Sequence, residues 1–150
     1  MNKMSNQVQP RAAKWGWGIL IAVSAFMVLE GVGLYLMSAS PAIFEQDTGV
    51  PKAEVSRAYP TVADQYVRAE QNIAILLTFL GLLVLVVALE GFRHGSRWVW
   101  NSTWVLVAWL VVGAFQALVV SGRLAFGGFY LAFAVIALVG QLLARRGLAS

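Results

Sequence analysis

The chain has 150 residues, of which 59% are hydrophobic and only 12% carry a charge, and it contains no cysteine. An average soluble domain is about 45–50% apolar and about 25% charged, so this chain has too little charge to cover a surface that faces water. The composition excludes intrinsic disorder, fibrous proteins and disulfide-stapled secreted domains, and the lack of cysteine excludes zinc ribbons, iron–sulfur clusters and thiol catalysis. We therefore interpret the sequence as that of an integral membrane protein.

Four apolar stretches are long enough to cross the hydrocarbon core of a bilayer, which takes about 20 residues of helix. Backbone amides in lipid must be satisfied within the segment, so each stretch is predicted to be a helix. The predicted fold is an all-α membrane protein, a single four-helix transmembrane bundle over residues 1–150. Its helices are predicted at about 15–38, 62–90, 98–120 and 124–143. The connection 39–61 is predicted to be a structured, partly helical outer loop.

Proline and hydroxyl residues in this outer loop predict where its helices begin. Ser40 followed by Pro41 is typical of an N-cap with proline in the first helical position, and Pro51 predicts a second short helix. Thr61 resembles the first residue of a capping box, which would start the second membrane helix near Val62.

The distribution of positive charge predicts the orientation in the membrane. Both termini and the turn between the second and third helices carry most of the basic residues: Lys3, Arg11, Lys14, Arg93, Arg97, Arg145 and Arg146, against one acid, Glu90. Because cytoplasmic loops are enriched in basic residues, both termini are predicted to be cytoplasmic. The net charge of +4 is interpreted as topology and contact with the lipid bilayer, and no nucleic-acid partner is predicted.

Aromatic residues agree with that orientation. Trp15, Trp17, Trp98 and Trp100 fall at the predicted inner interface, where an indole sits half in water. A cleavable signal peptide is the alternative interpretation of the first helix, because a small-residue run, Ser38 to Ser40, follows it. The apolar run is longer than a usual signal peptide has, so the helix is retained.

Glu30 is the most informative residue, because it lies near the middle of the first predicted span. A charged side chain at the centre of a membrane helix costs about 2.5–3.5 kcal/mol on insertion scales. Glu30 is therefore expected to be protonated, to pair with a polar or cationic group, or to face a polar cavity. The candidate partners, chosen by depth along the helices, are Gln116, Arg123, Arg68 and Asn72, with Thr78 as a further polar group on the second helix.

Small residues recur at intervals of four in the last two helices and predict close helix contacts. They are Gly113 and Ala117 in the third helix and Gly128 and Ala132 in the fourth. Two interpretations stay open. The residues pack the two helices against each other, or they form an interface with a protein partner or a second copy of the chain.

The short turn after the second helix carries Arg93, His94 and Arg97, which are candidate ligands for lipid headgroups. A solvated charged surface is the alternative interpretation. The single histidine excludes bis-histidine haem ligation within the chain, and the sequence has no nucleotide-binding or nucleophile motif. No catalytic group, metal site or cofactor is predicted.

The stretch Glu90-Gly-Phe-Arg-His-Gly-Ser-Arg-Trp-Val-Trp-Asn101 resembles a cytoplasmic turn of small, uncharacterised bacterial four-helix membrane proteins. In those proteins a helix ends in an arginine–glycine turn and an Arg-Trp-x-Trp-like run opens the next one. The resemblance implies a multi-pass protein of the bacterial inner membrane, and it implies no activity. Arg68-Ala-Glu-Gln-Asn72 is also similar to a motif of membrane-associated glutathione and eicosanoid enzymes, but it lacks that motif's histidine, and Ile75 stands where the motif has its acid, so no glutathione binding is implied.

Three functions fit these observations. The first is a non-enzymatic accessory or scaffold subunit of a membrane complex, which predicts a stable protein partner and tolerance of Glu30→Gln. The second is a binder or enzyme for a lipophilic small molecule, such as a lipid, sterol or quinone, with a pocket around Glu30. The third is a small proton-coupled transporter that uses Glu30. We prefer the first, because the sequence shows no catalytic constellation and no repeated or proline-broken span.

Overall fold

The computed structural model describes residues 10–120 and 124–148, and every regular element within these ranges is helical. In chain order the elements are α1 (Arg11–Met37), α2 (Pro41–Thr48), α3 (Lys52–Ala58), α4 (Pro60–His94), α5 (Arg97–Ser102), α6 (Trp104–Phe115), a π-helical turn (Gln116–Val120), α7 (Leu124–Ala144) and a 3-10 turn (Arg145–Gly147).

Four segments are long and apolar enough to span a membrane: Arg11–Met37, Pro60–His94, Arg97–Val119 and Phe126–Gly147. The third of these comprises α5, α6 and most of the π-helical turn. The prediction of an all-helical chain with four such segments is therefore confirmed for the described residues.

The connection between α1 and α4 contains the two short helices α2 and α3. As predicted, α2 begins at Pro41 with Ser40 as its N-cap, although the serine hydroxyl makes no capping bond. The helix ends at Gly49, whose φ of 73° is a left-handed conformation that glycine adopts without steric cost. Pro51 directly precedes α3, also as predicted.

The predicted capping box at Thr61 is wrong, because α4 begins one residue earlier. The helix begins at Pro60 rather than near Val62, and the Val62 amide donates to the Tyr59 carbonyl oxygen at 3.0 Å. Proline suits the first helical position because its fixed φ matches the helix and its missing N–H is not needed there. Thr61 therefore lies inside the first turn and does not cap it.

The chain divides into two compact units, and α1 and α4 each contribute to both. We call Phe26–Leu82 the internal unit, and Met1–Ala25 together with Leu83–Ser150 the terminal unit.

Glycines bring α1 and α4 together in the internal unit. A methyl group on Gly31 would come within 2.9 Å of the Ala74 carbonyl oxygen, and one on Gly81 would come within 2.9 Å of Val28 Cγ2. Because lipid offers no hydrophobic drive for helix association, close backbone approach of this kind provides the packing energy.

The α2 helix is attached to α4 by two aromatic residues. Phe44 is 2% exposed, and its ring meets the ring of Tyr66 edge to face at 4.8 Å between centroids. The Tyr66 hydroxyl also donates a 2.6 Å hydrogen bond to Asp47 Oδ2. Lys52, at the start of α3, donates to the Ala39 carbonyl oxygen at 2.8 Å. These contacts fold α2 against α4 and tie the start of α3 to the residues that precede α2.

Within the terminal unit, α1 packs against α7 through two glycines. A methyl group on Gly16 would come within 2.6 Å of the Gly140 carbonyl oxygen and would also overlap the backbone of Ala144. A methyl group on Gly140 would in turn come within 3.2 Å of the Gly16 carbonyl oxygen. The start of α1 and the end of α7 are therefore in backbone contact.

Candidate functional site

Glu30 lies on α1 in the internal unit and is partly buried. Met27, nearly one turn earlier, is 1% exposed, whereas the preceding residue, Leu29, is 69% exposed. At about 100° of rotation per residue, Glu30 lies about 60° from Met27 around the helix. The carboxyl group therefore lies at the edge of the buried face of α1, neither in the core nor fully exposed.

The contact of α1 with α4 determines which polar residues lie at the depth of Glu30. Gly31 packs directly on Thr78, so Glu30 is level with this part of α4. At 1.5 Å per residue, Asn72 lies about 10 Å and Arg68 about 15 Å further along the axis of α4. Among the proposed partners on α4, Thr78 is the one at the depth of Glu30, whereas Arg68 and Asn72 are exposed side chains nearer its start.

Neither of the other two candidate partners belongs to the described residues of the internal unit. Gln116 belongs to the terminal unit, and Arg123 lies outside the described residues. The cluster of Glu30 with Gln116 and Arg123 therefore stays a prediction.

An apolar groove of about 400 Å³ lies between α1 and α4 on the internal unit. It is lined by Val32, Tyr35, Leu36, Ile75, Thr78 and Phe79. The groove is almost entirely apolar, and the hydroxyl of its lining residue Thr78 already donates to the Ala74 carbonyl oxygen at 2.8 Å. Glu30 lies about 160° around α1 from Val32, so its side chain points away from the groove although it shares the depth of Thr78.

Gln116 is an exposed polar residue in the third of the four segments that are long and apolar enough to span a membrane. It occupies the first position of the π-helical turn that follows α6. One turn to either side, Val112 and Val119 are 59% and 66% exposed, and Ala108 is exposed one turn further back. The side-chain amide is thus surrounded along the helix by an exposed apolar face.

The two pairs of small residues have different environments. Gly113 packs on the ring of Tyr130, and a methyl group added at residue 113 would lie 3.3 Å from the ring atom Cδ1. Ala117 is buried, with 8% of its surface exposed. Gly128 and Ala132 are exposed, and a methyl group on Gly128 would meet no atom within 4 Å among the described residues. Gly113 of α6 and Ala117 of the π-helical turn therefore pack within the chain, while the pair on α7 lies on a surface that no described residue covers.

The turn between α4 and α5 presents Arg93, His94 and Arg97 as exposed side chains. His94 Nε2 lies 3.3 Å from Glu90 Oε1, and these two side chains are 64% and 53% exposed. An exposed pair of this kind contributes little to stability, so the geometry leaves the basic side chains available at the surface. Contact with lipid headgroups stays a prediction.

A buried polar network in the terminal unit is absent from the sequence-based candidates. Gln141 of α7 is fully buried, and its side-chain nitrogen donates to the Thr103 hydroxyl oxygen at 2.8 Å. The indole nitrogen of Trp100 donates to the Gln141 carbonyl oxygen at 2.9 Å. Gln141 is the one amide side chain in the apolar stretch 124–143, and this is the signal that points to it in the sequence.

Thr103 lies between α5 and α6, where the helix of the third long apolar segment is interrupted. Its hydroxyl donates to the Trp100 carbonyl oxygen at 2.9 Å, and its own carbonyl accepts a bond from the Leu106 amide, three residues ahead. A threonine hydroxyl that bonds a preceding carbonyl competes with the backbone for that acceptor, which accounts for the local change in hydrogen bonding.

The prediction that Trp17 is partly exposed at a membrane interface is wrong. Trp15 and Trp98 are 72% and 70% exposed, as an interfacial position requires, but Trp17 is fully buried. Its six-membered ring lies on Gly91 of α4. A methyl group added at residue 91 would come within 2.8 Å of Trp17 Cε3. The missing side chain at residue 91 provides the space for the indole.

The described residues contain no group of three histidine or acidic side chains that would hold a metal ion. No protein-family model, no curated protein and no solved structure matches the chain. The function is therefore argued from the residues described above.

Proposed function

We propose that the chain is a non-enzymatic membrane protein that acts as an accessory or scaffold subunit of a membrane complex. The observation that supports this proposal is the exposed amide of Gln116, at the first position of the π-helical turn that follows α6, among exposed apolar residues. Transfer of an amide into hydrocarbon without a hydrogen-bond partner costs about 4–8 kcal/mol on cyclohexane scales. A helix of a partner protein that bonds this amide removes that cost, and interhelical bonds of this type contribute about 0.6–2 kcal/mol.

We further propose a bundle of four helices in the bacterial inner membrane, with both termini cytoplasmic. The excess of basic residues at the termini and at the turn between α4 and α5 supports this orientation. It places α2 and α3 on the outer side. It also places the exposed side chains of Arg93, His94 and Arg97 next to anionic headgroups of the inner leaflet.

The test is gentle purification of the full-length protein from its native membrane, followed by mass spectrometry of the copurified proteins. We compare the wild type with Gln116→Leu, which removes the amide at similar size, and with Gln116→Asn, which keeps it. The proposal predicts a stoichiometric partner that Gln116→Leu loses and Gln116→Asn retains. A wild-type protein without a stoichiometric partner, or a partner retained equally by both variants, contradicts it.

A lipophilic small-molecule binder is the second candidate, and the groove between α1 and α4 supports it. Pockets for such ligands are mostly apolar, and the lining of this groove is almost entirely apolar. The test is analysis of copurified lipids and quinones after Leu36→Trp, which fills the groove. The control is Leu83→Trp, which makes the same change at an exposed position of α4 that does not line the groove.

Substitutions of Glu30 distinguish this second candidate from the remaining hypotheses, because each hypothesis predicts a different result. Because Glu30 points away from the groove, ligand binding in the groove predicts full retention in Glu30→Ala, whereas a pocket around Glu30 predicts loss. The third hypothesis, proton-coupled transport, predicts a pH-dependent flux in vesicles that Glu30→Gln abolishes. The scaffold proposal predicts that Glu30→Gln leaves partner binding unchanged.

A further inference from the structure

Four helical elements meet at one end of the terminal unit. The start of α1 contacts the end of α7 at Gly16 and Gly140, Trp17 of α1 lies on Gly91 of α4, and Gln141 of α7 bonds to Thr103 after α5. Trp17 and Gln141 are both fully buried at this junction. Each directly follows a glycine that forms the contact between α1 and α7.

Trp17 and Gln141 each carry one buried polar atom that lacks a hydrogen-bond partner among the described residues. In Trp17 this atom is the indole nitrogen, which only donates, and in Gln141 it is the side-chain oxygen, which only accepts. The Gln141 nitrogen is already used by Thr103. A buried polar group left unbonded has lost its hydrogen bonds to water without replacement, so an unpartnered donor and an unpartnered acceptor at one junction require an explanation.

Helix geometry directs these two side chains to the same side of the contact between α1 and α7. The two helices run antiparallel at this contact, because Gly16 meets Ala144, whereas Ile19, further along α1, meets Gly140, earlier in α7. In each helix, the side chain of the next residue is rotated by about 100° around the helix axis. Viewed from one end, this rotation is clockwise in one antiparallel helix and counterclockwise in the other. Gly16 and Gly140 face each other, so the residues that follow them, Trp17 and Gln141, turn to the same side of the helix pair.

The ring orientation of Trp17 agrees with this placement. Its six-membered edge, with Cε3, Cζ3 and Cη2, lies on Gly91 of α4. The indole nitrogen is on the other edge of the ring system, so it points away from α4 and into the junction. Gln141 is held in the same junction by its bond to Thr103 and by the bond from Trp100 to its backbone.

We propose that a water molecule binds between Trp17 and Gln141. It accepts a hydrogen bond from the indole N–H and donates one to the Gln141 side-chain oxygen, which satisfies both atoms. Buried waters typically bond two to four polar groups that would otherwise be unsatisfied, and they are costly to remove. This water links the first membrane-spanning helix to the last, at the end of the terminal unit where α4 and α5 also meet.

The test is proton–nitrogen NMR of the full-length protein in lipid nanodiscs, with the tryptophan indoles labelled with ¹⁵N and the Trp17 signal assigned from Trp17→Phe. The proposal predicts a hydrogen-bonded indole shift for Trp17 and a cross-peak to a long-lived water in the wild type. Gln141→Leu removes the acceptor and should abolish both. Thr103→Ser keeps the hydroxyl that holds the Gln141 amide and should preserve both, while the other indole signals show that each variant is folded.

Two results would overturn the proposal. The first is a wild-type Trp17 indole without a water cross-peak, which includes the case of a direct bond between Trp17 and Gln141. The second is a cross-peak that Gln141→Leu leaves unchanged, because another group would then hold the water. The wild-type measurement does not depend on whether any variant folds.

Discussion

Gly31 of α1 lies so close to Thr78 of α4 that a methyl group on residue 31 would overlap the threonine hydroxyl oxygen and come within 2.8 Å of the threonine amide nitrogen. Two residues further along the same helix, a methyl group on Gly33 would meet no atom within 4 Å among the described residues. The two glycines have the same intrinsic helix propensity, so their different surroundings alone separate their effects on packing.

This difference predicts opposite outcomes for two alanine substitutions in α1. Gly31→Ala should destabilise the protein by about 1–3 kcal/mol, because the added methyl group forces α1 and α4 apart. Gly33→Ala should be neutral or stabilise by up to about 1 kcal/mol, because alanine is the better helix former. Thermal unfolding in detergent measures both. Equal losses for the two variants would show that the contact at Gly31 is not required.

A second pair of glycines tests the terminal unit in the same way. Gly16→Ala should lower the unfolding temperature, because the methyl group would overlap Ala144 and Gly140, while Gly18→Ala should not, because nothing described lies within 4 Å of that position. The expected loss for Gly16→Ala is again about 1–3 kcal/mol. A Gly16→Ala protein as stable as Gly18→Ala would contradict the contact between α1 and α7.

The network around Gln141 predicts a difference between two conservative changes at Thr103. Thr103→Val keeps the shape but removes the acceptor of the Gln141 amide, and a buried donor left unbonded should cost about 1–3 kcal/mol. Thr103→Ser keeps the hydroxyl and should lose less. Unfolding temperatures of the two variants in the same detergent test this, and a valine variant as stable as the serine variant would argue against the hydrogen bond.

The hydroxyl of Tyr66 predicts how firmly α2 is attached to α4. Tyr66→Phe keeps the ring contact with Phe44 but removes the bond to Asp47, a bond to a charged acceptor that contributes about 1.5–3 kcal/mol. Faster hydrogen exchange and faster proteolysis are expected within residues 41–58. Tyr59→Phe is the control, because Tyr59 is 67% exposed. Unchanged exchange in Tyr66→Phe, or the same increase in the control, would show that the bond does not hold α2.

The sequence by itself determined the helices and their approximate limits. A membrane-spanning segment satisfies its backbone hydrogen bonds internally, so the local run of apolar residues is enough to identify a helix. Proline acts equally locally, and Pro41 and Pro51 therefore predicted the starts of α2 and α3 correctly. The first turn of α4 was less predictable, because Thr61 and Pro60 compete as start signals and proline at the first position prevails.

Tertiary structure alone decided which face of each helix is covered. The protein interior and the lipid are similarly apolar, so composition does not distinguish a buried residue from one that faces the bilayer. Trp17 and Trp15 have the same chemistry in the same helix, yet only Trp17 is buried, because Gly91 on α4 leaves room for its ring. Likewise Gln116 is exposed while Gln141 is buried and bonded to Thr103, because the partner of an amide depends on the neighbouring helix rather than on the segment that carries it.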